Sequence, residues 1–506
     1  MLELEQAVEK VLAAIPAPKS ETISLAEAHG RIVAETILAA ADLPSFDNSA
    51  VDGYAVRSKD VAEASAENPV RLQLVGRVAA GEHFAGTLSP GQCIRIFTGS
   101  PALAGADAVV MQEDTRPLAT SSSPTEAPAP LPNAGTTSPS PPRSGGEGRG
   151  EVAFRVQGEI QFLDSAKPWE NIRFHGEDVK RGSLIAETGT RLGAANIGLL
   201  AATGVGQVTV NRRPTVALIA TGSELREPVD GTPSTSSASS SPLAHGQIFE
   251  SNRAALTPLI AATGAIPKSY PIVPDTAEAM RAALARAFAE CDIVITCGGV
   301  SVGEMDFVKS AFEELGGQLD FWKVSIKPGR PFVFGRLPVE VQRDETAMIL
   351  PDAEKTSPSP PRSGGEGRGE VVIRAQGENA LDVGCSMLDV RCSQSSREKF
   401  LFGLPGNPIS AFVTFLLLAR PALLRWQGVT DVSLPISQGT LAEPFSNPGN
   451  RRHFVRVKLD GTGKVHSAGT QASHILSSLA TANGLLDVSP NTTLAVGTTV
   501  KILRWE

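Results

Sequence analysis

The chain has 506 residues, 41% of them apolar and 20% charged, and a formal net charge of −8. That length suits about three or four domains, and the composition suits a soluble globular protein with sizeable cores. The negative balance excludes a general nucleic-acid or anionic-membrane binder, since both need an extended basic surface, but it allows a local cationic pocket.

The N-terminal stretch "MLELEQAVEKVLAAI" is acidic and amphipathic, so it reads as a helix and not as a signal peptide. A short extended segment follows it, up to about residue 44. Residues 45–116 alternate short apolar runs with Gly and Pro, as in "VRLQLVGRV" and "GQCIRIFTG", which predicts a small β-rich domain.

The stretch "TSPSPPRSGGEGRGEV" then occurs twice, at 137–152 and 356–371. A duplicated architecture would repeat its hydrophobic pattern over tens of residues, yet the similarity fades by Glu159 and Glu378. The repeated unit is too polar to bury apolar surface. With "DGTPSTSSASSSPLAHG", it marks three inserted surface loops, at 117–152, 229–246 and 338–398.

From 213 to 430 the pattern changes. "TVALIATG", "KSYPIVP", "DIVITCGG", "LDFWKVSIKPG", "PFVFG" and "KFLFGLPGNP" read as strands. "SNRAALTPLIAATG", "DTAEAMRAALARAFAEC", "EMDFVKSAFEELGG" and the segment near 408–425 read as helices. This alternation predicts a doubly wound, mostly parallel sheet covered on both faces. The apolar run "AFVTFLLLARPALL" (411–424) is interrupted by Arg420-Pro421 and is expected to be too short to span a bilayer. Residues 433–506 alternate again and predict a small β-barrel or sandwich. The five cysteines form no C-x-x-C pair, which fits a reducing, cytoplasmic compartment.

Open parallel sheets bind ligands outside the carboxyl ends of their strands. Here the unusual residues gather at those ends: Thr221-Gly222-Ser223-Glu224, Asp275, "GGVSVGEMD" (Gly298, Gly299, Ser301, Gly303, Asp306), "KPGRP" (Lys327, Arg330) and "LPGNP" (Pro405, Asn407, Pro408). A Gly-rich strand-to-helix turn offers backbone N–H groups to an anion, although "GGVSVGEMD" is neither a P-loop nor G-x-G-x-x-G. Lys323 and Lys327, read as one strand, share a face. Arg330 can add a planar fork for an oxyanion. Glu224, Asp275 and Asp306 are hard oxygen donors suited to Mg²⁺ bridging phosphates. Plainer roles stand beside these: Asp275 as a helix N-cap, Glu224 as a first-turn helix acid, and either lysine as a solvated surface charge. A second polar set lies in "PSFDNSAVDGYAVR" (Asp47, Asn48, Asp52), "IRIFTGSP" (Thr98) and "NIRFHGEDV" (Arg173, Asp178). No two His residues have metal-ligand spacing, so His175 and His474 are not read as ligands.

Taken together, "FDNSAVDGYAVR", "IRIFTGSP", "GADAVVMQED", "NIRFHGEDV", "ATGSEL", "TCGGVSVGEMDF", "FWKVSIKPGRPFVFG" and "LFGLPGNPISAF" resemble the MoeA family, the molybdopterin molybdenumtransferases, which also include the E domain of gephyrin. The resemblance implies a central MogA-like α/β domain at 213–432 and a C-terminal β domain at 433–506. It also implies a β-rich domain at 45–170, and a linking and dimerisation domain built from 1–44 with 171–212. It implies insertion of molybdate into adenylylated molybdopterin, with Mg²⁺-dependent release of AMP. The site then lies between the subunits of a cytoplasmic homodimer, with a MogA-like adenylyltransferase as a possible partner. Carried over by motif, Asp52, Thr98, Arg173, Asp178, Glu224, Asp275, Asp306, Lys323 and Lys327 are site residues, with Ser473 in "QASHILSSL" as a further match. Ser223 stands where the family often has Asp. Phe174 and His175 stand where extra Arg residues are common. A scaffold on the same fold is the alternative function, and an adenylylating enzyme of MogA type a third. Deletion of residues 122–150 is expected to leave both the thermal midpoint and molybdenum insertion intact, as checked by calorimetry and a cofactor-reconstitution assay.

Overall fold

The computed structural model describes residues 1–118, 158–228, 243–300, 307–338 and 398–505. The loops expected at 117–152, 229–246 and 338–398 fall almost wholly outside the described residues, as do Ser301, Gly303 and Asp306. The chain divides into two compact units. The first holds Met1–Ile15, Arg213–Leu424 and Val432–Glu506, and the second holds Pro16–Arg212 and Arg425–Asp431. The leading helix α1 (Leu4–Ala14) thus clusters with the α/β unit, apart from the rest of the first 44 residues.

The first unit is built on β1 (Thr215–Ala220), α2 (Asn252–Ala262), β2 (Ile266–Ser269), α3 (Ala277–Glu290), β3 (Ile293–Cys297), α4 (Phe307–Glu314), β4 (Gln318–Trp322), β5 (Ile326–Lys327), β6 (Val333–Leu337), β7 (Lys399–Leu404) and α5 (Pro408–Trp426). Six of these strands form one sheet in the order β2-β1-β3-β7-β6-β4. The first four run parallel, and β6 and β4 add antiparallel. β1 and β3 are continuous apolar runs because both of their faces are covered. On one face Met280, Leu284 and Phe288 of α3 and Val308 and Phe312 of α4 pack against Ala217, Ile219, Val294 and Leu401. α2 and the start of α5 lie together on the sheet as a second pair. This is the doubly wound arrangement expected from the alternating pattern.

Three local expectations are corrected. "KSYPIVP" is a strand only as far as Ser269; Pro271 and Pro274 have no N–H to donate, and a single bridge from Val273 to Thr221 remains. "LDFWKVSIKPG" is not one strand. Lys323 takes a left-handed φ of 72°, which ends β4, and β5 pairs instead with a strand of the C-terminal domain. The apolar run at 411–424 is not too short by length: α5 spans 19 residues and is long and apolar enough to cross a bilayer, but 83% of that window is buried within the protein. The helix runs through Pro421 because the turn over Phe415–Ala419 widens to a π form. Arg420 N–H donates to Phe415, and a residue with no N–H follows where the regular ladder has already been broken.

The C-terminal part of this unit is a barrel. β8 (Ile436–Leu441), β9 (Arg452–Leu459), β10 (Lys464–Ser467), β11 (Gly484–Val488) and β12 (Thr499–Leu503) close in the order β9-β10-β8-β12-β11 and back to β9. β5 adds to β9 in parallel, with Ile326 opposite Arg452 and Lys327 opposite His453.

The second unit centres on a six-stranded sheet. Its strands run in the order Ala108–Met111, Gly53–Val56, Gln92–Ile96, Val70–Val78, Gly158–Phe162, Thr115–Leu118. The strand Ser20–Ser24 pairs antiparallel with Gln207–Asn211, so two segments distant in sequence share one small core around Leu192, Leu200, Val208 and Val210.

In the α/β sheet, Phe334 is fully buried between Phe402, at 5.1 Å between ring centroids, and Phe400, at 6.2 Å. Phe334→Ala is expected to cost about 3–5 kcal/mol in urea unfolding, because no neighbouring ring can collapse into the space it leaves.

Candidate functional site

Parallel register brings the exits of β1, β3 and β7 to one edge of the sheet. Thr221 N–H donates to Cys297 O at 3.1 Å, Gly222 N–H to Val273 O at 3.2 Å and Gly298 N–H to Leu404 O at 3.0 Å, so the turns are laced together. Between them lies a cavity of ≈ 420 Å³. Glu224, Asp275, Gly298, Gly299, Pro405 and Asn407 line it, as the sequence predicts, together with Thr221, Gly222, Val300, Pro331, Gly406 and Ser410. Gly298 holds φ 101°, and a Cβ there would stand 2.8 Å from Thr221 O, so only glycine fits this turn.

Asp275 does not cap the helix that follows it. Thr276 is the cap, its side chain accepting from Ala279 N–H at 3.2 Å. The Asp275 carboxylate instead accepts from the Thr221 hydroxyl at 3.0 Å and from Ser223 N–H at 2.9 Å. Ser223 returns the contact, its hydroxyl accepting from Asp275 N–H at 3.1 Å. The Ser223 hydroxyl, where the residue departs from the family pattern, thus holds the Asp275 backbone, while the carboxylate is held by the Thr221 hydroxyl and a backbone N–H. Glu224 projects from the same turn beside Gly222 and is exposed.

The cations lie elsewhere in the unit. Lys323, Lys327 and Arg330 do not line the cavity, although Pro331 does. The expectation that the two lysines share a strand face is corrected by the left-handed Lys323, which puts its ammonium over the Trp322 ring, 3.8 Å from the centroid. Lys327 is exposed at the barrel seam, where Arg451 donates to Ile326 O at 3.1 Å and His453 lies opposite. Burial lowers the His453 pKa to about 4, with Lys327, Arg456 and Arg451 adding repulsion. Ser473 belongs to a segment pinned by the fully buried Arg456, which donates to Thr470 O at 3.1 Å, Ala472 O at 3.2 Å and the Ser478 hydroxyl at 2.8 Å. Pro408 opens α5 as its first residue.

Ser410 was not singled out by sequence. It lies three residues after Asn407, one helical turn away on the same side, and that spacing was the available signal. Asn407 supplies a further clue. Its side-chain oxygen is buried and finds no hydrogen-bond partner among the described residues. An orphaned amide oxygen beside two carboxylates is a hard-oxygen donor set, which fits Mg²⁺ held jointly with a phosphate ligand. Among the described residues no three His, Cys, Asp or Glu side chains are close enough to bind a metal unaided.

In the second unit the predicted polar loops converge. Thr98 donates its N–H and its hydroxyl to Asp52, both at 2.8 Å. Those bonds, the backbone one first, with Arg95 adding, hold the Asp52 carboxyl below its usual range. Gly99 N–H bonds Ser49 O and Ala50 N–H bonds Asn171 O, each at 2.8 Å, and Arg173 lies opposite Asn48. Asp178 N–H bonds Leu43 O at 3.1 Å. His175 pairs with Asp42 at 3.2 Å. Asp52, Thr98, Arg173 and Asp178 are all exposed.

Comparison with known proteins bears on this arrangement. Residues 2–204 match the MoeA N-terminal region (domain I and II), 217–425 a probable molybdopterin binding domain, and 438–505 the MoeA C-terminal region (domain IV). The molybdopterin molybdenumtransferase of Haemophilus influenzae is 31% identical, over 96% of this chain and 93% of its own length. This chain belongs to the MoeA family. Molybdopterin molybdenumtransferase 2 of Mycobacterium tuberculosis is likewise 31% identical, over 96% of this chain and 94% of its own. The crystal structure of the MoeA protein from Pyrococcus horikosii superposes with a TM-score of 0.66 at 27% identity, covering 100% of this chain and 99% of that one. Of the motifs at the strand exits, "ATGSEL", the start of "GGVSVGEMD" and "LPGNP" supply residues that wall the cavity.

The depressed His453 sets a pH dependence. Its folded value, about 4, lies below the ordinary 6.5, so its contribution to stability is complete above about pH 6.5 and is lost as pH falls towards 4. The urea midpoint is expected to fall over that window, and His453→Gln is expected to flatten the fall.

Proposed function

We propose that this MoeA-family member is a molybdopterin molybdenumtransferase that inserts molybdate into adenylylated molybdopterin with release of AMP. The observation that carries this reading is the cavity itself: Asp275 and Glu224 face a Gly298-Gly299 turn and the Pro405–Asn407 turn across one strand edge. Carboxylates, a glycine-rich strand-exit turn and an amide oxygen with no partner among the described residues suit a phosphoanhydride held with a divalent cation.

In this reading Glu224, Asp275 and Asn407 hold Mg²⁺, with Asp306 as a further carboxylate. When bound, the ion supplies charge neutralisation at the phosphoanhydride. Thr221 and Ser223 keep the Asp275 carboxylate aimed before substrate arrives. Molybdate is a dianion; Lys327 and Lys323, outside the cavity lining, and Arg173 of the second unit are the cations assigned to it and to the substrate phosphates. Asp52, Thr98, Arg173 and Asp178 belong to the second unit, and in the proposed homodimer they face the cavity of the partner.

No side chain needs to act as a nucleophile. Among the described residues Cys93, Cys291 and Cys297 are buried free thiols, and burial raises the pKa of each, Cys93 to about 12. Thiolate catalysis is unsuited to such groups. Positioning and electrostatics carry the reaction.

The direct test is purified protein with adenylylated molybdopterin, molybdate and Mg²⁺, which is expected to yield active cofactor and stoichiometric AMP. Asp275→Ala or Lys327→Ala is expected to abolish turnover with little loss of stability. Thr276→Ala, the neighbouring cap, is expected to cost about 1 kcal/mol of stability and keep turnover. A folded wild-type protein without turnover would favour the scaffold reading, and ATP consumption with molybdopterin alone would favour the adenylylating one.

A further inference from the structure

The second unit carries an aromatic pair that the proposed chemistry does not yet use. Trp169 and Phe174 are 53% and 42% exposed, with ring centroids 5.8 Å apart. Phe174 directly follows Arg173, on the loop cluster that also presents Asp52 and Thr98. Paired aromatic side chains left to solvent amid polar residues are the kind of patch that marks a ligand or partner site.

The backbone beneath them is strained. Trp169 sits at φ 70° and Asn171 at φ 57°. A bulky residue in the left-handed region is a genuine outlier. Such strain persists only where the surroundings over-determine it. Here Trp169 N–H donates to Asp107 O, Val109 N–H to Glu170 O at 3.0 Å, Ile172 N–H to Trp169 O at 3.3 Å, and the Asn171 side chain to Val109 O at 2.9 Å. The turn is fixed against the edge strand Ala108–Met111, and the indole is held outward.

We propose that Trp169, with Phe174 tilted 56° against it, presents a stacking face for a flat heteroaromatic ring of the substrate, with Arg173, next to Phe174 in the chain, for the attached phosphate. The inference rests on the reading of this chain as a molybdopterin molybdenumtransferase. Its substrate, adenylylated molybdopterin, carries two flat rings, a pterin and an adenine, each linked through phosphate. Either has the π-face an aromatic pair recognises, and a guanidinium next to such a pair suits the phosphate that follows. The departure at Phe174 then has a physical content: a cation is given up and a ring face gained, next to an arginine that is retained.

The test is calorimetric binding of AMP and, separately, of 6-hydroxymethylpterin to the full-length protein, wild type against W169G and W169F. Glycine adopts a φ of 70° without strain, so W169G is expected to keep or raise the thermal midpoint. It is expected to weaken one of the two probes about tenfold, and W169F to restore most of that loss. The probe that weakens identifies the ring. Equal affinity of wild type and W169G for both probes would overturn the platform, while molybdenum insertion by the wild type would leave the functional reading standing. Unchanged probe affinity with altered elution on gel filtration would assign the pair to a subunit contact and also overturn it. A wild type that binds neither probe and inserts no molybdenum would sink both.

Discussion

The grip of Thr221 and Ser223 on the Asp275 carboxylate is the contact on which the site turns. It joins the exit of β1 to the segment that leaves β2, and so sets how wide the strand edge opens. Everything around it follows from parallel register: β1, β3 and β7 end at the same level, and their turns must share the space beyond. Gly298 makes that sharing possible, because its missing Cβ lets the β3 turn lie against Thr221 O. The cavity is therefore a property of the sheet, and the side chains in it only decide its chemistry.

The second unit solves a different problem. Its polar loops are short and exposed; Val51 and Ile172 anchor them on the sheet core, and backbone hydrogen bonds between neighbours order the rest. The segment at 47–52 is bonded on one side to 98–101 and on the other to 171–175. Polar side chains on such loops keep their charge in water, and Asp52 is held ionised by Thr98 donors without burial. These polar side chains stand at the surface, where the α/β strand edge forms a cavity.

Much of this was legible in the sequence because the signals were redundant. Continuous apolar runs ending in Gly announced buried parallel strands, and hydrophilic residues at those ends announced the site. The failures have local causes. Phe321 to Lys327 alternates like a strand, and nothing in that alternation reveals a left-handed Lys323 or a change of sheet. Asp275 and Thr276 are both good cap residues and lie side by side, so only geometry separates the cap from the site residue. Arg420-Pro421 looks like a helix stop, and a widened turn just before it removes the conflict. The aromatic exposure of Trp169 could not be read at all, since it depends on a backbone angle that propensity argues against.

One short segment belongs to two sheets. β4 ends in the α/β domain, and five residues later Lys327 is already paired into the barrel. The lysine precedes β7 in the chain, but its backbone pairs with a strand that follows α5. A frameshift or stop codon after the α/β domain would therefore leave every recognisable motif up to residue 410 in the reading frame. It would remove the strand with which Lys327 pairs. An inventory of motifs in shortened genes of this kind would overstate how many encode a competent enzyme.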